Sequence, residues 1–429
     1  MSIAKTPGFP VAGLALVFAL CLSLQAASAQ TPPSIIPTFE EFADPSGKIA
    51  TYQPGGPTTT AFNAFFQVLG TNGRSCFTCH QPQNAWGLSA ASVQSRFTAT
   101  SGTDPIFSLF DGATCPSDKV STLAEKKTAY ELLLSKGLIR IGLPLPANAQ
   151  FEITKVDDPY NCSNNASIGL KGIYSFYRRP LPATNTLFLV DYLWDGRVPD
   201  LKSQAISAAL GHEQAKTAPT DAQLKQIVDF ESGIYTAQDY DADAQSLTAL
   251  SATGGPRVLS KQIFEQEGGG VVTFDLYDSW ANLTGTDAVT QARLSVARGE
   301  AIFNGCSVGC HTVVGAGDSF GGGFIDTGVA FPGAPALDLS GLPVFTVKCK
   351  ATGVSTQVTD LGRAMISGQC GDIGAFKVHS LRGLAARAPY FSNGSAATLE
   401  DVVSFYNQSR SLNLTGQQKT DLVNFLKTL

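Results

Sequence analysis

The sequence predicts a mainly α-helical protein with little β-structure, in which two similar domains are joined by long irregular loops. Two Cys-His motifs, beginning at Cys76 and Cys306, each follow a stretch with helical periodicity. Two further segments with helical periodicity, near 399–408 and 416–429, end the chain. The 42 Gly and 23 Pro residues predict extensive loops, and 429 residues exceed what one hydrophobic core normally serves.

The first motif places Cys76, Cys79 and His80 in the spacing of a c-type haem attachment site. The chemistry explains this spacing, because the two thiols form thioethers with the porphyrin vinyl groups and the histidine ligates the iron. A zinc ribbon or a thiol redox pair is the alternative. A zinc ribbon keeps its two cysteine pairs about 15–20 residues apart, whereas more than two hundred residues separate Cys76 from Cys306. We therefore predict haem.

The second motif, formed by Cys306, Cys310 and His311, is a longer variant with one extra residue between its cysteines. The sequence thus predicts two covalently bound haem c groups. A helix, a haem motif, loops and a closing helix are typical of a cytochrome c domain, and this order occurs twice. We predict three parts after the signal peptide: an N-terminal cytochrome c-like haem domain over 30–240, an inter-domain excursion over 241–286, and a C-terminal cytochrome c-like haem domain over 287–429.

Residues 1–29 have the pattern of a secretory signal peptide. Lys5 is the only charged residue before an apolar run over 11–24, and small residues precede the predicted cleavage point near Ala29. The apolar run is too short to cross a bilayer, and no later segment is long and apolar enough. We expect export to the periplasm, where c-type haems are attached, and no membrane span.

Four cysteines remain outside the signal peptide and the two motifs. The simplest pairing is Cys115–Cys162 and Cys349–Cys370, although four cysteines allow three pairings. Each bridge would stabilise the fold by about 3–4 kcal/mol through the loop that it closes. The formal net charge is −5, and no basic stripe is present, so nucleic acid is excluded as an expected partner.

Two longer segments carry a family resemblance. Residues 188–214 (FLVDYLWDGRVPDLKSQAISAALGHEQ) include Trp-Asp-Gly-Arg, and residues 376–406 include FKVHSLRG, APYFSNGS and TLEDVVSFYN. With both haem motifs in this order, most of the predicted mature chain resembles the bacterial di-haem cytochrome c peroxidase and MauG family. The resemblance implies that hydrogen peroxide reacts at the N-terminal haem. It also implies that the C-terminal haem relays electrons from a periplasmic donor protein or a small redox donor.

The resemblance also implies roles for individual residues. It places Trp194 between the two haems and Gln204 in the peroxide pocket. Ten residues beyond Gln204 the family has an acid that helps to break the O–O bond, and that position is Gln214 here. Since an amide does not transfer protons as a carboxylate does, His212 and Glu213 are the candidates to replace it.

The sixth ligand of the second haem is methionine in ordinary peroxidases of this family and tyrosine in MauG. Counting along the matched segment, this position falls on Tyr406, and the only methionine of the predicted mature chain, Met365, lies outside that helix. A phenolate ligand lowers the potential of the iron. The family often holds a calcium ion between the haems, but its asparagine ligand is not evident here, and Arg179 stands near that position.

Two further expectations concern charged residues of the matched segments. Asp195 and Arg197 are predicted to form a structural ion pair, and His379, where relatives have proline, is predicted to be structural and near the second haem.

Two alternatives to the peroxidase function stay open. One is an electron-transfer cytochrome with both irons six-coordinate, favoured by Gln214; the other is a MauG-like oxidative modifier of a partner protein.

Overall fold

The computed structural model describes residues 31–162, 172–262, 274–306, 310–311 and 323–429. The predicted signal peptide and residues 307–309 of the second haem motif lie outside this part of the chain. Among the described residues, no helix has both the length and the apolar character needed to cross a membrane.

The described residues form both helices and strands. The α-helices are α1 (Ala90–Thr100), α2 (Leu123–Ala129), α3 (Glu131–Lys136), α4 (Leu201–Gly211), α5 (Asp221–Gly233), α6 (Pro256–Leu259), α7 (Ala288–Cys306), α8 (Ala364–Ser367), α9 (Leu399–Ser409) and α10 (Gly416–Lys427). The β-strands are β1 (Ile35–Ile36), β2 (Phe39–Asp44), β3 (Gly47–Tyr52), β4 (Thr58–Thr59), β5 (Ile139–Pro144), β6 (Phe151–Asp157), β7 (Ile173–Arg178), β8 (Tyr235–Asp241), β9 (Gln245–Ser246), β10 (Phe324–Ile325), β11 (Val344–Cys349), β12 (Ser355–Val358) and β13 (Phe376–Lys377).

The prediction of a mainly α-helical protein with little β-structure is wrong. The strands form small sheets, of which the largest has the order β2-β3-β8-β9 and the next β12-β11-β6. Helix α5 ends at Gly233, because the chain then enters β8 and pairs with β3. That pairing buries Ile49, Ala50 and Thr51, so long-range strand contacts override the local helical pattern.

The sheet β12-β11-β6 joins distant parts of the chain. Strand β6 belongs to the predicted N-terminal domain and β11 to the predicted C-terminal domain, and the two strands are antiparallel. The domain boundaries themselves stay a prediction. The predicted Cys349–Cys370 disulfide is confirmed and secures the end of β11. Cys115 and Cys162 are buried thiols in hydrogen-bond contact, and their disulfide stays a prediction.

Helices α7 and α10 cross in the core beside the second haem motif. Thr415 caps α10, because its hydroxyl accepts the Gln418 N–H while the Gln418 side chain accepts the Thr415 N–H. Asp421 on α10 accepts hydrogen bonds from two α7 residues, Ser295 at 2.6 Å and Arg298 at 2.8 Å. The carboxylate therefore fixes the register of the two helices.

The helix crossing depends on the absence of a side chain at Gly299. A Cβ atom there would lie 2.0 Å from the Asp421 carbonyl oxygen, which belongs to the backbone of α10 and cannot move aside. We expect Gly299→Ala to lower the free energy of unfolding by about 1–3 kcal/mol or more, since overpacking forces the helices apart. Denaturant titration of the holoprotein measures this change.

The matched control is Gly416→Ala, at the first residue of α10, where a Cβ meets no atom within 4 Å. Alanine favours helix over glycine, so this variant should be as stable as the parent or slightly more stable. Equal stability of the two variants would show that the helix crossing does not depend on Gly299.

Candidate functional site

Two distant segments are joined beside the first haem motif. Residues 69–72 lie just before the motif, and residues 212–214 lie just after α4. The hydrogen bonds that join them include Leu69 N–H to Glu213 Oε2 (3.0 Å), Thr71 N–H to Glu213 O (3.0 Å) and Asn72 Nδ2 to His212 O (2.8 Å). Gly70 permits this approach, since a Cβ there would lie 1.7 Å from the Glu213 carbonyl oxygen. The joined segments bring the end of α4 next to the motif.

A cavity opens between the motif and α4. Its volume is about 1430 Å³, part of which is open to solvent. Cys76, Cys79 and His80 line it together with the predicted site residues Trp194, Gln204, His212 and Glu213. Gln214 is not among its lining residues. The structure therefore brings together these seven predicted residues of the first site.

The first motif is a tight turn that directs three side chains to one place. Cys76 opens a single helical turn, and its carbonyl accepts the N–H groups of both Cys79 and His80. His80 Nδ1 lies 2.8 Å from the carbonyl oxygen of buried Trp86. Because a carbonyl only accepts, Nδ1 carries the proton and Nε2 keeps its lone pair. Burial lowers the pKa of His80 to about 4, so the ring is neutral at pH 7.

The residues of this cavity fit a covalently attached haem. Both thiols are free rather than joined in a disulfide, as thioether formation requires. The neutral imidazole has an available Nε2, and the hydrogen bond from its Nδ1 to a carbonyl is the usual second contact of a metal-bound histidine. Among the described residues, no cluster of three or more His, Cys, Asp or Glu side chains could hold a separate metal ion.

Helix α4 forms the wall of the cavity that faces the motif. Asp200 caps the helix by accepting the Ser203 N–H at 2.7 Å. Leu201, Gln204 and Ala208 recur at helical spacing and all line the cavity. Gln204 is therefore the polar group on an otherwise apolar helix face.

Glu213, and not Gln214, is the buried polar residue after α4. Glu213 is 3% exposed, and its carboxylate accepts the Leu69 N–H and lies 3.6 Å from the Cys76 sulfur. Burial raises the pKa of Glu213 to about 7. Gln214 has a left-handed backbone (φ 55°), and its side chain contacts Asn72 instead. This turn directs the carboxylate of Glu213, and not the side chain of Gln214, towards the cavity.

His212 belongs to a buried ionic network. Its Nδ1 lies 2.7 Å from Asp111 Oδ2, and Arg74 donates to Asp111 Oδ1 at 2.5 Å. Burial alone would raise the pKa of Asp111, but the hydrogen bond from His212 and the charge of Arg74 hold it below its usual value. The carboxylate orients the imidazole, whose side chain remains 38% exposed. His212 therefore lies between the cavity and solvent.

Trp194 lies between the cavity and the region of the second motif. Its indole N–H donates to the Arg179 carbonyl at 2.8 Å, and its ring lines the cavity. The same ring packs against a cluster around Phe376 and Phe405, against which Tyr406 also packs. Trp194 thus contacts both the first cavity and the apolar cluster beside Tyr406.

Buried ion pairs hold the backbone next to Trp194. Asp195 is fully buried and accepts from Arg178 at 2.6 Å and from Arg197 at 2.8 Å, so the predicted Asp195–Arg197 ion pair is present. Arg178 also pairs with Asp360 at 2.6 Å. These pairs give the Trp194 loop a fixed position relative to β7.

The second motif lies at the end of α7. Cys306 and Cys310 are free thiols, and the His311 ring centroid is 5.9 Å from that of Phe303. Burial, together with the neighbouring Cys310 and Cys306 thiols, raises the pKa of Tyr406 to about 12. The structure therefore brings Tyr406 close to the second motif.

Several residues of the first cavity were not predicted. They include Asp111, which pairs with Arg74 across 37 residues, and Glu231, which is far from the motif in sequence; such long-range arrangements leave no local pattern. His379 was expected near the second haem, but it lines the first cavity, with its ring 4.8 Å from Trp194. The only signal for these residues in the sequence was a charged residue within a segment predicted to be rich in loops.

The comparisons with known proteins give weak similarity to peroxidases. No protein-family model matches the chain. The chain is 44% identical over 78 residues to "Cytochrome-c peroxidase IdrP2" of Denitromonas iodatirespirans, covering 17% of this chain and 21% of that protein. It is 25% identical over 283 residues to "Cytochrome-c peroxidase IdrP1" of Pseudomonas sp. (strain SCT), covering 59% and 68%.

The extent of these matches limits what they show. The chain spans about a fifth of the length of the curated relatives to which it is more than 40% identical. A solved structure titled "Crystal structure of a MauG-like protein associated with microbial copper homeostasis" overlaps 86% of each chain at 18% identity, with a TM-score of 0.44. We draw no inference from an overlap at that score. The relatives indicate an oxidoreductase similar to cytochrome c peroxidases, at low or partial identity.

The ionic network predicts a pH-dependent contribution of Asp111 to stability. Asp111→Asn leaves Arg74 buried without its carboxylate and should lower the free energy of unfolding at pH 7 by about 3–5 kcal/mol. Because the folded pKa of Asp111 lies below its ordinary value, this stability is present above about pH 4 and is lost as the pH falls further. The difference between variant and parent should therefore shrink in acid.

Denaturant titrations across pH measure this difference. Asp229→Asn, which removes the exposed Lys225–Asp229 pair, is the control and should change stability little at any pH. An Asp111→Asn variant that behaves like this control would show that the network does not stabilise the fold.

Proposed function

We propose that this protein is an exported di-haem c-type cytochrome that reduces hydrogen peroxide with electrons from a periplasmic donor protein or a small redox donor. The observation that carries the proposal is the first cavity, where haem-attachment residues and proton-transferring side chains line the same space. The weak similarity to cytochrome c peroxidases supports the same reaction class.

The first haem is assigned to this cavity by its donor set. Cys76 and Cys79 supply the thioether sulfurs, and His80 Nε2 is the iron ligand, with its ring held by the Trp86 carbonyl. When bound, the haem supplies an iron centre that exchanges electrons one at a time and accepts an oxygen ligand. In the attached form the Cys76 thiol proton is gone, so Glu213 retains the Leu69 N–H as its hydrogen-bond donor.

The chain's own residues manage the protons. Reduction of hydrogen peroxide breaks the O–O bond and consumes two electrons and two protons to give two water molecules. Glu213 accepts the proton of one peroxide oxygen and returns it to the departing oxygen, a role suited to a carboxyl whose pKa is near neutral. Gln204 orients the peroxide by hydrogen bonds, and His212, oriented by Asp111, exchanges protons with solvent.

The electrons are proposed to pass by Trp194. The second haem is assigned to Cys306, Cys310 and His311, with Tyr406 as the sixth iron ligand. Trp194 contacts both the first cavity and the cluster beside Tyr406, which supports a position between the two haems. A calcium ion between the haems and cleavage near Ala29 stay predictions, which elemental analysis and N-terminal sequencing of the purified protein would decide.

The first test counts haems and exposes them to peroxide. We expect the intact mass of the mature protein to include two porphyrins, and the oxidised protein to change its absorption spectrum and turn over on addition of hydrogen peroxide. Cys76→Ser/Cys79→Ser should carry one porphyrin and lose turnover, whereas Cys115→Ser should keep both. Two porphyrins without any response to peroxide would favour the electron-transfer alternative, and fewer than two would overturn the di-haem assignment.

The second test distinguishes Glu213 from Gln214. Glu213→Gln keeps the side-chain shape but removes the proton-transferring group, so kcat/KM for peroxide should fall by about 10²–10⁴-fold. Haem content measured by pyridine haemochrome should stay unchanged.

Gln214→Ala is the matched control, since Gln214 does not line the cavity, and its turnover should stay within a few-fold of the parent. A large loss in Gln214→Ala with a normal Glu213→Gln variant would show that the acid position is the one counted from the sequence.

A further inference from the structure

Most buried cations around the first cavity are paired with carboxylates. Arg178 has two carboxylate partners, Arg74 pairs with Asp111, and Arg96 pairs with Asp104. This pattern is expected, because a charge moved out of water is strongly unfavourable unless an opposite charge compensates for it. A buried cation without such a partner is therefore informative.

Three cations beside the cavity lack a carboxylate partner among the described residues. We name them the buried cation cluster: Arg179, Lys377 and Arg387. Lys377 is 2% exposed and Arg179 is 6% exposed. The ammonium of Lys377 and the Nε atoms of Arg179 and Arg387 are buried without a hydrogen-bond partner.

One cation of the cluster lines the cavity, and the other two contact residues that line it. The Lys377 backbone N–H donates to the Trp194 carbonyl, and the Arg387 guanidinium donates to the Ser380 carbonyl. Arg179 lines the cavity, and the charge of Arg387, after burial itself, lowers the pKa of Arg179. His379 also lines the cavity, and its Nε2 is buried without a partner. Burial, then the charges of Lys377 and Arg387, lowers the pKa of His379 to about 3, so its ring is neutral.

The protein atoms nearby do not compensate these charges. Arg179 and Arg387 each donate to a backbone carbonyl, of Leu88 and Ser380 respectively, and a carbonyl carries no net charge. Asp195, the carboxylate that acts on His379, is already paired with two arginines. The described residues therefore leave these three cations without a compensating anion.

We propose that the buried cation cluster binds a propionate carboxylate of the porphyrin in the first cavity. The inference rests on the haem of the proposed function. A porphyrin attached through its vinyl groups carries its two propionates on the edge away from Cys76 and Cys79. Carboxylate accepts charge-assisted hydrogen bonds from guanidinium and ammonium groups, which supplies both the missing charge and the missing acceptor atoms.

The sign of a stability change provides the first test. If Lys377 is buried without an anion, Lys377→Met removes an unfavourable charge and stabilises the holoprotein. If Lys377 binds a propionate, the same variant leaves the carboxylate uncompensated and lowers the midpoint denaturant concentration. We expect the decrease, and an increase would overturn the proposal. Lys377→Arg should restore most of the loss, since it keeps the charge.

Spectroscopy of the first haem provides the second test. In Lys377→Met and Arg387→Met, the resonance Raman propionate bending mode of the first haem should shift, and its midpoint potential should fall because a nearby positive charge is lost. Lys136→Met is the matched control. Lys136 is a buried lysine paired with Asp338 outside the cavity, and neither signal should change in that variant.

The outcomes separate this proposal from the proposed function. A parent protein without a porphyrin at Cys76 and Cys79 overturns the proposed function. A parent with that porphyrin, but with unchanged Raman mode and potential in the variants, overturns only the propionate site. The propionate site is also overturned if the Raman mode or potential changes only at the second haem. The same holds if the potential of the parent protein depends on the identity of the buffer anion at constant ionic strength.

Discussion

The hydrogen bonds between residues 69–72 and 212–214 are the constraint on which the first site depends. They join the chain before the haem motif to the chain after α4, and no covalent link does so. Gly70 makes the approach possible, because any larger residue would collide with the Glu213 backbone. One set of backbone contacts therefore sets the width of the cavity and directs Glu213 and His212 towards it. Substitutions at Gly70 would affect haem environment and proton transfer together.

The sequence predicted which residues line the first cavity better than it predicted the architecture. A haem motif is local: Cys76, Cys79 and His80 lie within one turn, so their spacing carries the whole signal. The helices α7, α9 and α10 were predictable for the same reason, since their caps and apolar spacing are local. The strands were missed because their pairing is long-range: β3 gains its stability from β8, almost two hundred residues later. No feature of the sequence near Ile49 indicates that β8 is its pairing partner.

The turn after α4 shows how one backbone dihedral angle decides which residue faces the cavity. The resemblance pointed to Gln214, and an uninterrupted helix would have kept that register. Helix α4 instead ends at Gly211, and Gln214 takes a left-handed conformation, so Glu213 becomes the residue that faces the cavity. The partner of His212 could not be predicted either, because Asp111 lies 101 residues away and is brought there by Arg74.

His212 and Trp194 lie in different surroundings, although both line the first cavity. The His212 side chain is 38% exposed, and its Nδ1 lies 2.7 Å from Asp111 Oδ2. Trp194 instead packs against the rings of Phe376 and His379 and donates its indole N–H to the Arg179 carbonyl. The ion pairs around Arg178 hold the Trp194 loop in place with charges that cancel one another.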